Sequence, residues 1–550
     1  FCKYFTEVGP KFAGQIPQPI NDYAHYMQKT NESSIYLAPT DEQEVVRLLM
    51  SFKSKKSAGC DNLSSIVLKS ISESISWPLM IAINKSISSG TVPKIFKTAK
   101  VIPVFKAKDK KEFTNYRPIS LLPVMSKLLE KVIHKRVYAF LQQSNILYSS
   151  QYGFRHNHST VNAISQLAAA IINGFENKKW TLGVFLDLSK AFDTIDHEIL
   201  LSKLEQYGIR GIALQWFKSY LSDRSQYVDF KGTSSSHLQV TCGVPQGSVL
   251  GPLLFIIYTN DLPEVIKKAD GLLFADDTTI YYSSDSLDDL FNVINSELEI
   301  VSDWFRANKL SLNISKTNYV VFRTRYSQIP DQHGLDIILC NTSIKQAESV
   351  KFLGSYIDQN LEWNVHTKHL ESKMSSALYI LNRVKGILSK KLLKTLYYSL
   401  VYCHLNYAAM LWTVTFDYNK DHLQVLQNDC IRAITKSERN ATVNPLFVKT
   451  KTLKIDDIGK LNILNMMYEY SKATLPEPLL NLFMQNRAVH SYNTRHANDP
   501  HTLPHTYKLT GECFLRKGPA LWSKLDTKIK TAPSKKSFSK RVKKLLISEY

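Results

Sequence analysis

The sequence predicts an α/β or α+β core over residues 116–322, continued by a mostly helical C-terminal region. Three observations carry that prediction. Residues 180–186 form a continuous apolar run of strand length, residues 272–282 read as a β-hairpin, and helix-period segments lie between them. Beyond about Lys345 apolar residues recur at helical spacing, over 372–388 and again over 392–411.

Each element has its own signal. Val45, Leu48, Leu49 and Phe52 repeat at helical spacing over 41–52, with Thr40 or Asp41 as cap and Glu44 in the first turn. Residues 57–61 form a turn before a second helical pattern that runs through Ile75. Residues 101–105 read as a short strand entering a charged turn, 106–112, where Asp109 is flanked by lysines. After the 180–186 strand, residues 197–207 are amphipathic, with Ile199, Leu200 and Leu204 on one face. Residues 211–221 read as another helix, 226–230 as a β segment and 251–260 as an apolar stretch. The tail from Ser534 carries Lys535, Lys536, Lys540, Arg541, Lys543 and Lys544, which suit nucleic-acid phosphates.

Composition narrows the function classes. The chain has 550 residues, room for three or four packing units, and its 44% hydrophobic content excludes wholesale disorder. A net charge of +21 predicts a polyanionic partner, nucleic acid or an anionic membrane. The longest apolar stretch, 249–258, is about half of the ~20 residues a bilayer needs, and no signal peptide opens the chain. The expectation is an intracellular protein without a membrane partner. The 7 cysteines (Cys2, Cys60, Cys242, Cys340, Cys403, Cys430, Cys513) are scattered without CxxC spacing, which points to a reduced compartment. His490, His496, His501 and His505 cluster without paired cysteines, as expected of a Pro-broken loop rather than a zinc site. The first residue is Phe, so the expectation is a reading frame that begins upstream.

The most informative stretch is Phe274-Ala275-Asp276-Asp277-Thr278. β-prone flanks place both acids at the hairpin tip, where two like charges repel and Asn-Gly or Asp-Gly would be usual. A divalent cation would remove that repulsion. Taken alone, such a pair reads as a solvated acidic turn. Asp187 ends the buried 180–186 strand, a costly place for a carboxylate unless it is paired, metal-bound or capping a helix. If one sheet joins these strands, three carboxylates meet, and they suit two Mg²⁺ ions that keep sites open for phosphate oxygens.

Five motifs in order carry a specific resemblance: Asn115-Tyr116-Arg117-Pro118-Ile119-Ser120, Gln151-Tyr152-Gly153-Phe154-Arg155, Phe185-Leu186-Asp187 through Ala191-Phe192-Asp193, Gly243-Val244-Pro245-Gln246-Gly247-Ser248, and Phe274-Ala275-Asp276-Asp277. Together they resemble the LINE-type, non-LTR retrotransposon reverse transcriptases, nearest the jockey-like branch. The likeness spans about 57–412. It implies an α+β right-hand polymerase with fingers, a palm built on an antiparallel sheet, a helical thumb and a mostly helical C-terminal region.

The resemblance also implies roles, residue by residue. Asp187 and Asp276 would bind two Mg²⁺, for which Mn²⁺ can substitute, and Asp277 would be the accessory metal-binding acid. Phe192 looks like the steric gate against a ribose 2′-OH, although a core Phe would share its spacing. Gln246 and Gly247 would approach the incoming sugar, and Arg117 resembles the arginine that grips the triphosphate. Arg155 is a further nucleotide-binding candidate. Lys106, Lys108, Lys110 and Lys111 precede Arg117, and the sequence does not choose among them. Lys316, in Leu310-Ser311-Leu312-Asn313-Ile314-Ser315-Lys316, resembles the lysine that protonates departing pyrophosphate. Leu353 and Gly354, in Phe352-Leu353-Gly354, resemble the primer grip.

The implied organisation is an N-terminal extension (1–56), fingers (57–180), palm with the catalytic motifs (181–345), primer grip and thumb (346–412), and a basic C-terminal region (413–550). The implied activity is extension of a DNA primer on an RNA template with dNTPs, in the nucleus for target-primed synthesis and in the cytoplasm as a ribonucleoprotein. The alternative is a catalytically degenerate, element-derived RNA-binding protein. Retention of all three acids separates the two in favour of the enzyme.

Overall fold

The computed structural model describes residues 1–27, 30–327, 335–414, 416–489 and 497–550. His490 and His496 lie outside the described residues. Local chemistry sets the first elements. Asp41 caps the Glu42–Met50 helix through the Glu44 amide, while Thr40 donates instead to the Glu44 carboxylate at 2.8 Å. The second helical pattern resolves into Ser65–Ser70 and Ser72–Ser89.

Strand β1 (Thr98–Phe105) pairs antiparallel with β2 (Tyr116–Leu121) across the charged turn. The central element is β3 (Trp180–Leu186). Strand β4 (Arg224–Phe230) returns to lie parallel to β1, with β5 (Thr233–Ser234) and β6 (Leu238–Val240) attached to it. The hairpin comprises β7 (Asp270–Phe274) and β8 (Asp277–Ser284), and β9 is Asn318–Phe322. Short strands β10 (Ile338–Leu339), β11 (Thr342–Ser343) and β12 (Lys345–Gln346) precede a second hairpin, β13 (Ser349–Phe352) and β14 (Ser355–Asp358).

The second sheet has the order β12-β9-β3-β8-β7, with β3 antiparallel to both β8 and β9. Its two faces belong to different cores. Leu182, Val184, Leu186, Ile280 and Val321 pack with Leu254 and Phe255 of the Gly251–Tyr258 helix and Trp304 of the Leu287–Ala307 helix. Phe185, Leu272, Tyr281, Val320 and Phe322 pack with Ile164, Leu167 and Ile171 of the Thr160–Glu176 helix. Burial on both faces explains why β3 reads as an unbroken apolar run although its neighbours are antiparallel. Mixed sheets and abundant helix make this an α+β protein.

Helices follow, and two expectations need correction. The 372–388 helix is Asn364–Val384, eight residues earlier at its start. Its first turns bury His366, Thr367 and Leu370, and two buried polar residues hide the stripe. The 392–411 helix is broken. Lys390–Tyr397 passes through a wide turn at Tyr398–Tyr402 into Cys403–Asn406, stops, and resumes as Ala409–Trp412. The break falls where Tyr407 leaves the axis to bond the Leu353 carbonyl, with Ala408 at φ 50. The C-terminal helices, including Asp417–Thr435, Ile455–Ser471 and Lys535–Ser548, share the second core with the Thr160–Glu176 helix.

Candidate active site

The strand register brings the acids together. Leu186 pairs with Thr278, so Asp187, the next residue, stands beside Asp277, itself paired with Phe274 across the hairpin. The two-residue tip is Ala275-Asp276. Asp276 occupies the tip and Asp277 opens β8, which corrects the expectation of both acids at the turn. The left-handed φ the turn requires (56°) falls on Ala275. Gln151 makes that tolerable: its Oε1 accepts from the Ala275 amide (3.1 Å) and the Gly153 amide (2.8 Å). Residues 150–152 also pair with β7, the Tyr152 amide donating to the Leu273 carbonyl at 2.8 Å.

The electrostatics are those of carboxylates with too much negative charge among them. Burial first, then the charges of Asp276 and Asp187, push Asp277 up to about 6. Asp276 is raised as well, by burial and by Asp187, with Arg117 and Lys106 opposing. Both carboxylates reach solvent, but from a recess dense enough with protein to strip much of their hydration. Asp187 accepts at Oδ2 from the Asn313 amide nitrogen (2.9 Å) and from Lys316 Nζ (3.1 Å). Lys190 adds a fourth cation. Burial lowers its pKa first, and Lys106, Arg117 and Lys316 lower it further, so all four basic groups share one field. Of the lysines in the charged turn, Lys106 is the one whose charge acts on Asp276.

This set of donors fits divalent metal. Among the described residues no group of three His, Cys, Asp or Glu forms a metal cage. Mg²⁺ commonly takes one or two carboxylates and completes its shell with water and substrate phosphate. Asp187 and Asp276, close enough for the first to raise the second's proton affinity, could supply such a pair, and the neighbouring cations suit a polyphosphate.

The other candidates fall in two groups. Phe192 lies in the short turn Ala191–Asp193, its ring stacked on Phe255 (4.7 Å between centroids) and edge-on to Phe154 (6.2 Å). Two aromatic partners fix its plane. Gln246 and Gly247 sit in the loop before the Gly251–Tyr258 helix. Gly247 has φ 128, and a Cβ there would come within 2.6 Å of the Ser120 carbonyl oxygen. Gln246 Nε2 donates to Asp193 Oδ1 at 2.9 Å. Arg117 is exposed on β2 within reach of the acids' field. Leu353 and Gly354 form the β13–β14 turn, and Phe352 packs on Phe185 of β3 (5.4 Å).

Arg155 is not among the residues brought to the acids. Its guanidinium binds the Tyr148 carbonyl, and the groups that act on it are Tyr138, Tyr152 and Glu477. That bond ties it to the chain just before residues 150–152, the segment that braces the hairpin. Sequence reasoning missed Gln151, Lys190, Asp193 and Asn313 as site residues. Each lies within or beside a recognised motif, so the signal was position rather than residue type.

Residues 108–357 match the family "Reverse transcriptase (RNA-dependent DNA polymerase)". The chain is 30% identical over 444 residues to the probable RNA-directed DNA polymerase from transposon BS of Drosophila melanogaster, an alignment covering 77% of this chain and 47% of the relative. It is 28% identical over 457 residues to the corresponding X-element protein, covering 81% and 49%. With the polymerase from mobile element jockey the figures are 25% over 480 residues, 83% and 51%. All three are from Drosophila melanogaster, and the chain spans about half the length of these curated relatives. Over residues 108–357 the chain therefore matches a reverse transcriptase, and the relatives it resembles are polymerases of the mobile elements BS, X-element and jockey.

Proposed function

We propose that the chain extends a DNA primer on an RNA template, consuming dNTPs, with Asp187, Asp276 and Asp277 at the chemical centre. The observation that carries this reading is the meeting of three mutually repelling carboxylates at adjacent strand ends, within a ring of four cations. Such a site attracts metal with its acids and polyphosphate with its bases.

In this reading residues 57–180 are fingers, 181–345 palm, 346–412 primer grip and thumb, and 413–550 a basic C-terminal region, with 1–56 an N-terminal extension. Asp187 and Asp276 would hold two Mg²⁺, which supply charge stabilisation for in-line displacement at the α-phosphate and activate the primer 3′-OH. Arg117, Lys106 and Lys190 orient the triphosphate and offset its charge. Phe192, held between Phe255 and Phe154, occupies the space of a 2′-OH. Gln246 contacts the sugar. Lys316, bonded to Asp187, would give a proton to pyrophosphate once nucleotide binding draws it away. The Leu353-Gly354 turn, pinned by Tyr407, supports the primer. Target-primed copying would put the activity in the nucleus, with assembly on template RNA in the cytoplasm. Among the described residues no helix is long and apolar enough to cross a membrane.

The test is primer extension on poly(rA)/oligo(dT) with Mg²⁺, comparing the wild type with Asp276→Asn. Extension by the wild type, reduced at least ~10³-fold in the variant, is the expected result. Template binding without extension by either protein would establish the degenerate, RNA-binding alternative.

A further inference from the structure

The buried carboxylate of Asp193 has no part in the chemistry above. It follows Phe192 in the turn, and the turn is laced to the Gln246 loop. The Val244 amide donates to the Phe192 carbonyl (2.9 Å), the Gly243 amide to the Ile195 carbonyl (2.7 Å), and Cys242 Sγ to the Asp193 carbonyl (3.4 Å). The N-terminal helix Cys2–Gly14 roofs this junction so closely that a Cβ on Gly9 would fall 2.3 Å from the Asp193 carbonyl oxygen. Phe5 of that helix, Asp193 and Gln246 line a cavity of about 40 Å³.

One carboxylate oxygen, Oδ1, accepts from Gln246 Nε2 at 2.9 Å. The other, Oδ2, is buried without a hydrogen-bond partner among the described residues. Burial pushes this carboxyl up to about 6, against the pull of Gln246 and Lys190. Leaving it half-satisfied and desolvated costs the fold free energy. What the carboxylate does accomplish is directional. An ionised carboxylate only accepts, so it selects the Nε2 side of a planar amide and leaves Oε1 and the second Nε2 hydrogen for a ligand.

We infer that Asp193 is a positioning residue, whose carboxylate sets the orientation of the Gln246 amide toward the sugar of the incoming nucleotide. This rests on the reading of Gln246 as a nucleotide contact. Asp193 acts through Gln246 and touches no substrate itself.

The experiment is steady-state extension on poly(rA)/oligo(dT) with dTTP varied, for the wild type, Asp193→Ala, Asp193→Asn, Gln246→Ala and both double variants. Gln246→Ala and Asp193→Ala should each raise KM for dTTP about tenfold with kcat within about twofold. Asp193→Asn keeps an oxygen that can accept from Gln246 and should recover KM to within about threefold of the wild type. In the Gln246→Ala background neither Asp193 substitution should change KM more than about twofold. Asp193→Asn should melt no lower than the wild type at pH 8, because it removes a buried charge. Should Asp193→Ala spare KM where Gln246→Ala does not, or should the two effects add, the inference is overturned. An Asp193→Asn variant as impaired as Asp193→Ala means that an acceptor oxygen at this position does not set KM, and overturns it equally. A Gln246→Ala variant with normal KM removes the nucleotide-contact reading and the inference with it, a pattern distinct from the others.

Discussion

Lys203 offers a quantitative check on how the site's frame is held. Its ammonium lies 2.7 Å from Asp261, with side-chain exposures of 0% and 3%. It also donates to the Tyr258 carbonyl at 2.6 Å and sits 5.0 and 4.8 Å from the Tyr258 and Trp304 ring centroids. Burial drives Lys203 down and Asp261 up in proton affinity, each toward its neutral form, and the pairing opposes both shifts. Lys203→Met keeps the aliphatic stem, removes the cation and strands the carboxylate. Breaking a buried pair from one side costs roughly 3–5 kcal/mol, whereas replacing both partners by apolar groups is near neutral. Urea denaturation at pH 7 should therefore show a loss of about that size in Lys203→Met. Most of it should return in Lys203→Met/Asp261→Leu. A loss below about 1 kcal/mol, or a double variant as unstable as the single, would refute the reasoning, because the pair would then lie in water rather than in a dry core.

Phe192→Val should admit rNTPs, raising the rNTP:dNTP ratio of kcat/KM about tenfold or more in extension assays, by opening the space its ring fills between Phe154 and Phe255. Glu44 is buried, which raises its pKa, but hydrogen bonds from Arg136, Lys135 and Thr40 outweigh burial and hold it at about 2. A depressed acid stabilises the fold above its unfolded pKa and loses that contribution as pH falls. Glu44→Gln should therefore cost about 2 kcal/mol at pH 7, allowing for the exposure of Lys135, and the gap to the wild type should close between about pH 4.5 and 2. Urea midpoints at pH 7, 4 and 3 read this directly.

The sequence was legible where one physical signal dominated. β3 is buried on both faces and reads as a run, and its bounds, Trp180–Leu186, are those the apolar stretch predicts. Asp41 announces its helix because a side-chain oxygen before an amphipathic stripe has few other uses. Asp187 stood out through the cost of a carboxylate at a buried strand end, and Asp276 and Asp277 through two like charges at a hairpin. Where a distant residue supplied the missing interaction, the signal failed. Ala275 carries no turn propensity, and its left-handed backbone is held by Gln151, 124 residues away. Tyr407 breaks a helix that its local sequence would continue, because its hydroxyl is wanted at the Leu353 turn. Arg155 has the right residue type and neighbourhood for phosphate, but the Tyr148 carbonyl has claimed it.

The two-sided burial of the second sheet bears on how far this chain can be shortened. Phe185, Val320 and Phe322 line the same core as Trp412, Leu423, Ile458 and Phe538. Glu176 fastens the distal chain from the other side through the Thr506 amide (2.9 Å) and Thr510. Ending the protein after Trp412 would not trim an appendage. It would unroof the back of the strand that carries Asp187, leaving a wall of aromatic and branched side chains to wet or aggregate.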